Sequence, residues 1–168
     1  VERNLRASGA DLAVVLNIAT RPGQETTINS VAAQNDYFVS GKGCTVYFGS
    51  VHPKSESALY ELSRIKALGL RGVKFHPDYQ GFMIDDESAF PLYEKLEKLG
   101  LITVFHAGWD PLSPDLVHAP AERCANVART FPKLKLVFAH FGSLGLYDET
   151  EKHLAGKFEN VYLDTSCS

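Results

Sequence analysis

Four of the six histidines stand directly after an apolar run: Val51-His52-Pro53, Phe75-His76-Pro77, Phe105-His106-Ala107 and Ala139-His140-Phe141. Imidazole is the commonest protein ligand for zinc and similar ions, and it titrates near neutral pH. Asp164-Thr165-Ser166 follows a further apolar run in the same register. Several imidazoles with a carboxylate suit metal-assisted hydrolysis. One histidine at a strand end is more often a packing or hydrogen-bonding residue; four in register argue that at least two are functional. Other signatures are missing from the sequence: there is no HxH, HExxH, P-loop or GxSxG. Gly41-Lys42-Gly43 lacks the third glycine of a dinucleotide fingerprint and reads as a turn. Residues 141–145 (FGSLG) either offer backbone amides to a phosphate or form a flexible loop, and the loop is favoured.

The elements that must hold these residues are six short apolar runs, at 12–18, 45–51, 72–75, 101–105, 135–139 and 161–163. They are rich in Val, Ile, Phe and Tyr, which favours strands. They are continuous rather than alternating, as expected of strands covered on both faces. Helical patterns separate them. In 54–68, Leu59, Leu62, Ile65 and Leu68 form a stripe, Glu56, Glu61, Arg64 and Lys66 take other faces, and Gly69 stops the helix. In 87–99, Leu92, Leu96 and Leu99 repeat, Asp85, Asp86 and Glu87 suit the N-terminus, Pro91 falls in the first turn and Gly100 ends the run. A helix at 121–131 lies between Pro120 and Pro132, with Val127 and Phe131 inward. Ile28, Val31, Ala32 and Asn35 predict a helix at about 28–38, and 147–154 gives a weaker one.

Strand and helix thus alternate with a period of roughly 25–35 residues, the pattern of a parallel α/β fold with right-handed crossovers. In such a sheet all C-terminal strand ends point to one rim, where active sites lie. His52, His76, His106, His140 and Asp164 should share that rim. Two closures stay open on this reading. A doubly wound open sheet fits the length comfortably, whereas a (β/α)8 barrel typically needs about 250 residues.

The chain has 168 residues, enough for one domain, and no linker interrupts it. The hydrophobic fraction of 45% and charged fraction of 22% are those of a globular protein rather than a disordered chain. Lys plus Arg number 17 against 20 Asp plus Glu, a net charge of −3, so neither nucleic acid nor an anionic membrane is an expected partner. No apolar run approaches the roughly 18–20 residues of a membrane span, and the N-terminus has no hydrophobic signal core. Cys44, Cys124 and Cys167 are scattered and odd in number, which predicts reduced thiols and a cytoplasmic location. Val1 in place of Met suggests a trimmed start.

The segments GSVHP, GLRGVKFHPDYQGFMIDD, PLYEKLEKLGLITVFHAGWD, FPKLKLVFAHFGS and NVYLDTS, in that order, resemble the amidohydrolase-related (amidohydrolase 2) family of the metal-dependent amidohydrolase superfamily. The resemblance runs from about Asp11 to Ser166. It implies a parallel α/β fold of the TIM-barrel, metal-dependent hydrolase type, with one or two divalent ions, usually zinc, at the strand C-termini. The six runs align with the second to seventh strands of that barrel, so the expectation is a single partial barrel over residues 1–168. By the same resemblance His106 is a metal ligand, and His140 is a metal ligand or a general acid/base beside the metal-bound water. His52 and His76 match pocket positions that contact substrate and are not expected to be metal ligands. Trp109 and Asp110 either contact substrate or pack within their loop, and Lys74 reads as a pocket or core-edge residue. The His-x-His of the first strand and the Asp of the eighth are not in this sequence, so the chain resembles the central part of such an enzyme.

The implied reaction is cleavage of an amide, ester or lactone of a small molecule by metal-activated water. A metal-dependent non-oxidative decarboxylase is the alternative in the same fold, and a non-catalytic binding or assembly module the alternative in another class. Taken alone the 168 residues should lack a competent site. Two unpaired sheet edges should then favour cover by other segments or pairing into a homo-oligomer.

Overall fold

The computed structural model describes residues 2–167, which form two compact units divided after Lys74.

The first unit contains helix α1 (Glu2–Ala7), strand β1 (Ala13–Leu16), helices α2 (Glu25–Asn35) and α3 (Tyr37–Ser40), strand β2 (Thr45–Phe48), helix α4 (Ala58–Ala67) and the start of β3 (Gly72–Phe75). Strands β1 and β2 pair in parallel from Ala13↔Thr45 to Leu16↔Phe48, and a parallel bridge Gly49↔Val73 carries the ladder on to β3. The buried side of α4 is Ala58, Glu61, Leu62 and Ile65. The stripe is therefore turned from the one the leucines suggest: Leu59 is exposed and Glu61 is inside. A similar turn occurs in α2, where Glu25, Asn29, Ala32 and Ala33 are buried while Val31 is exposed. Polar bonding accounts for both rotations. Asn29 Nδ2 donates to the Ser50 carbonyl and to Glu61 Oε2, Ser50 N–H donates to Asn29 Oδ1, and Thr26 Oγ donates to Glu61 Oε1. Burying these groups is tolerable because they satisfy one another.

The second unit begins with the end of β3 and continues through α5 (Pro77–Gln80), a 3₁₀ turn (Glu87–Ala89), α6 (Phe90–Leu99), β4 (Ile102–Phe105), α7 (Ala121–Thr130), β5 (Leu136–Phe138), α8 (Tyr147–His153) and β6 (Val161–Leu163). The sheet order is β3-β4-β5-β6, with β4–β5 and β5–β6 parallel, so the strands follow chain order as the alternation predicts. Pro91 sits in the first turn of α6, and Gly100 caps it in the left-handed region at φ 64°. The core is aromatic: Phe75 stacks on Phe105 at 5.3 Å, and Tyr93 meets Phe105 and Phe131 edge-on, both at 5.6 Å. The Tyr93 hydroxyl donates to the Ile84 carbonyl, so burial leaves no unmet donor there. Strands β3 and β4 are almost wholly buried, whereas β6 is half-buried with Tyr162 exposed. No helix among the described residues is long and apolar enough to cross a membrane, and the cysteines among them are free.

Candidate metal centre

The second unit gathers three of the four strand-end histidines. His76 follows β3, His106 follows β4 and His140 follows β5, all at the same end of the sheet. The His76 and His106 rings are stacked, with centroids 4.1 Å apart and planes 6° apart. Tyr79 stacks on the other face of His76 at 3.6 Å. Asp110 Oδ2 lies 3.7 Å from His76 Nε2 and 3.7 Å from His106 Nε2. All three residues are buried, and one donor atom from each falls within 4.8 Å of the others.

The loop that carries Asp110 is clamped on both sides. Gly108 N–H donates to the Ala119 carbonyl, Leu144 N–H to the Ala107 carbonyl and Trp109 N–H to the Leu144 carbonyl. Gly108 has φ 93°, and a Cβ there would stand 1.9 Å from Leu144 N, so only glycine fits. The loop then turns back, with Asp110 Oδ1 accepting from Leu112 N–H, which leaves Oδ2 facing the imidazoles. The side chain of the preceding residue, Trp109, is exposed.

Hydrogen bonds join the Ser166 carbonyl, His140 and His106 in a chain. His140 Nδ1 is 2.7 Å from the Ser166 carbonyl, which can only accept, so Nδ1 carries the proton. In the neutral ring Nε2 is then an acceptor, and it lies 3.0 Å from His106 Nδ1. With both rings neutral, His106 Nδ1–H would donate to it, and His106 Nε2 is the nitrogen turned toward Asp110. His140 thus meets the cluster through its Nε2 contact with His106.

His140 and Phe141 both lie in the left-handed region, at φ 57° and 55°. Asp164 supports this bend, since its Oδ1 accepts from His140 N–H, Ser166 N–H and the Ser166 hydroxyl. Burial pushes the Asp164 carboxyl up, but these hydrogen bonds outweigh it and hold the group below its ordinary value. Asp164 thus serves the backbone of His140. The amides of residues 141–144 all donate within the protein, to Asp164, Ala139, His140 and Ala107, so that loop has no cradle for a phosphate.

His52 belongs to the first unit, where it is buried. Its N–H donates to Glu25 Oε1, and its Nδ1 accepts from Lys54 N–H, closing a turn. Burial, with a smaller contribution from the Lys54 charge, lowers its pKa against the pull of Glu25. Lys74 is also buried in that unit, its N–H on the Gly49 carbonyl and its own carbonyl on Ser50 Oγ.

Two residues of the site escape a reading by strand ends. Asp78 stands two positions after His76, and its fully buried Oδ2 lies 3.8 Å from His106 Nε2 and 4.0 Å from His76 Nδ1. His118 Nδ1 is 2.9 Å from Asp78 Oδ1. The sequence His-Pro-Asp could have flagged Asp78, as a carboxylate beside a rim histidine. His118 gives no such signal, because it follows an irregular loop.

The donor set fits a divalent metal. Two imidazoles and a carboxylate are common zinc ligands, and ligands of a tetrahedral ion at bonds of about 2.1 Å lie about 3.4 Å apart. The N–O separations of 3.7 Å would close by a few tenths of an ångström, and the two rings, stacked 6° from parallel, would have to tilt apart to aim at one ion.

Comparison with known proteins bears on the fold and the family. The chain is 36% identical to 2-amino-3-carboxymuconate-6-semialdehyde decarboxylase of Dictyostelium discoideum over 106 residues, which is 52% of this chain and 29% of that protein. The match thus spans less than a third of the length of that curated relative. Among solved structures, a TIM-barrel protein of Bordetella bronchiseptica superposes with a TM-score of 0.68 at 18% identity, covering 97% of this chain and 57% of the other. The 5-carboxyvanillate decarboxylase of Sphingomonas paucimobilis superposes with a TM-score of 0.64 at 18% identity, over 97% of this chain and 63% of the other. The fold class is accordingly that of the parallel α/β TIM-barrel enzymes. The sequence profile described as Amidohydrolase matches residues 20–168, and with nearly the whole chain inside that match, the chain belongs to the amidohydrolase family.

Proposed function

We propose that this chain carries a metal centre of a metal-dependent, non-oxidative decarboxylase acting on a small unsaturated carboxylic acid. The observation that carries the metal centre is the convergence of His76 Nε2, His106 Nε2 and Asp110 Oδ2 in one buried cluster. The preference for decarboxylation over hydrolysis rests on the Dictyostelium relative, a decarboxylase. A divalent ion held there supplies a Lewis acid for substrate oxygens. His76, His106 and Asp110 would hold it, zinc being the first expectation for two imidazoles and a carboxylate. On this reading His76 and Asp110 are ligands rather than substrate contacts. His140 positions His106 by accepting its Nδ1 proton. Tyr79 and Trp109, both partly exposed beside the cluster, are placed to meet a planar substrate.

Hydrolysis of an amide, ester or lactone is the second reading, favoured by the family match itself. Metal content of the purified full-length protein comes first, followed by assays of unsaturated and aromatic carboxylic acids for CO₂ release and of lactones and amides for hydrolysis. The expected result is stoichiometric metal with metal-dependent CO₂ release. Hydrolysis without CO₂ release would overturn decarboxylation, and absence of bound metal with no turnover would favour a binding or assembly module.

A further inference from the structure

Non-glycine residues with positive φ are uncommon, and two in succession mark a bend that its surroundings must hold. His140 and Phe141 form such a pair, at φ 57° and 55°, with Gly142 after them at 86°. At this bend the ring of His140 meets His106, with Nε2 3.0 Å from His106 Nδ1 and the ring centroids 4.9 Å apart. We infer that Asp164 is a positioning residue for His140, its carboxylate holding both the left-handed backbone of that histidine and the residue whose carbonyl meets its ring. The inference deepens the proposed function, and only its activity readout rests on that reading.

A single oxygen makes both connections. Asp164 Oδ1 accepts from His140 N–H at 3.2 Å, from Ser166 N–H at 3.0 Å and from the Ser166 hydroxyl at 2.5 Å. Ser166 is also the residue whose carbonyl lies 2.7 Å from His140 Nδ1. The carboxylate therefore ties the backbone N–H of His140 to the partner of its own imidazole. The main chain of Asp164 adds two bonds, since its N–H donates to the Phe138 carbonyl and its carbonyl accepts from Phe141 N–H. Behind the bend there is no slack: a Cβ at Gly142 would stand 2.8 Å from Leu163 Cδ2, at the end of β6. A return of His140 to the ordinary φ range would turn its Cα–Cβ bond and carry the ring away from Ser166 and His106.

The geometry assigns the effect to hydrogen bonding rather than to charge. The carboxylate bonds the main chain of His140, and Oδ2 takes no hydrogen bond among the described residues. A neutral amide in the same place, with its oxygen at the Oδ1 position, accepts from the same three donors. A carboxylate moved outward by one methylene keeps the charge and loses the alignment.

Two conservative variants should therefore part ways, Asp164→Asn behaving as wild type and Asp164→Glu as Asp164→Ala. Two readouts on the full-length protein test this, at a temperature where melts show each variant folded. In the metal-free protein at about pH 8, where imidazole is neutral, long-range ¹H–¹⁵N NMR should show His140 protonated on Nδ1 in the wild type and in Asp164→Asn. In Asp164→Ala and Asp164→Glu the ring, released from the Ser166 carbonyl, should show both tautomers. His140 is the partner of His106 in the proposed site, so displacement of its ring should reach turnover. In steady-state assays those two variants should lose about 100-fold in kcat with KM within about threefold of wild type, the loss expected when a group is misplaced by about 1 Å. Should Asp164→Ala fail to fold, the Asn and Glu variants carry the test. A neutral wild-type His140 protonated on Nε2, Nδ1 protonation fully retained in Asp164→Glu, or a kcat loss in Asp164→Asn equal to that in Asp164→Glu would each overturn the inference. If the wild type turns over no carboxylic acid, lactone or amide, the proposed function is wrong, while the His140 tautomer still reports on Asp164.

Discussion

Both units bury polar side chains, and they use them in opposite ways. In the first unit Glu25, Asn29, Asp36, Ser50 and Glu61 are buried and joined by hydrogen bonds to backbone and to one another. Asp36 alone accepts from the N–H groups of Phe38, Val39 and Tyr47, capping α3 and holding β2. In the second unit His76, His106, Asp78 and Asp110 are equally enclosed, yet the atoms they turn toward each other stand 3.7–4.0 Å apart. The described buried side-chain atoms lacking a hydrogen bond all belong to this unit, Asp78 Oδ2 among them. Satisfied burial stabilises and specifies a fold. Polar groups that converge without bonding one another raise the energy of that arrangement, and a cation binding them would recover it.

The largest expected effect breaks the contrast at its centre. His106→Ala removes one of the three proposed protein ligands and should weaken metal binding by about 100-fold or more. It leaves the first unit's network intact. Calorimetric titration with zinc checks this, and unchanged affinity would remove His106 from the site. Gly108→Ala acts on the scaffold rather than the ligands. A Cβ 1.9 Å from Leu144 N, at φ 93°, must displace the clamped loop that carries Asp110. It should destabilise the protein by about 3 kcal/mol and weaken metal binding with it. Denaturant melts and zinc titration on the same variant test both parts.

Asn29→Ala sharpens the comparison from the other side. It leaves Ser50 N–H without its side-chain acceptor, removes one of the donors to Glu61 and should cost about 2 kcal/mol of stability. Zinc affinity should stay within twofold of wild type. A loss of affinity comparable to that of His106→Ala would show that the two units are not separate in function.

The smallest effect concerns His52. Burial holds its pKa below the ordinary value, so the unfolded chain binds a proton where the folded one does not. Its contribution to stability is complete above the unfolded value of about 6.5 and is lost as pH falls from there through the lowered folded pKa. Melts of the metal-free protein from pH 7.5 to 5.0 should show this decline, and it should shrink in His52→Gln. An identical pH profile in that variant would assign the decline to other groups.

Parallel strands in chain order were legible because hydrophobic runs bounded by Gly and Pro have only a few ways to be buried. Helix faces were less so. The leucine repeat predicted Leu59 inward and Glu61 outward in α4, and the structure reverses both. A periodicity argument weighs only apolar burial, whereas Asn29 and Thr26 supply Glu61 with partners from another helix. Placement of His76, His106 and His140 at one end of their sheet was legible for the same reason as the strands.

The sequence by itself determined which side chains stand at strand ends, since that follows from local apolar runs and the fixed polarity of a parallel sheet. The roles of those side chains were decided by tertiary structure. The Ser166 carbonyl meets His140 Nδ1, and His140 Nε2 meets His106. Leu144 and Ala119 clamp Gly108 and so aim Asp110. His118, forty residues from Asp78 in sequence, anchors that carboxylate. Proton positions and carboxylate directions depend on hydrogen bonds between distant segments, and no local pattern of residue types encodes them.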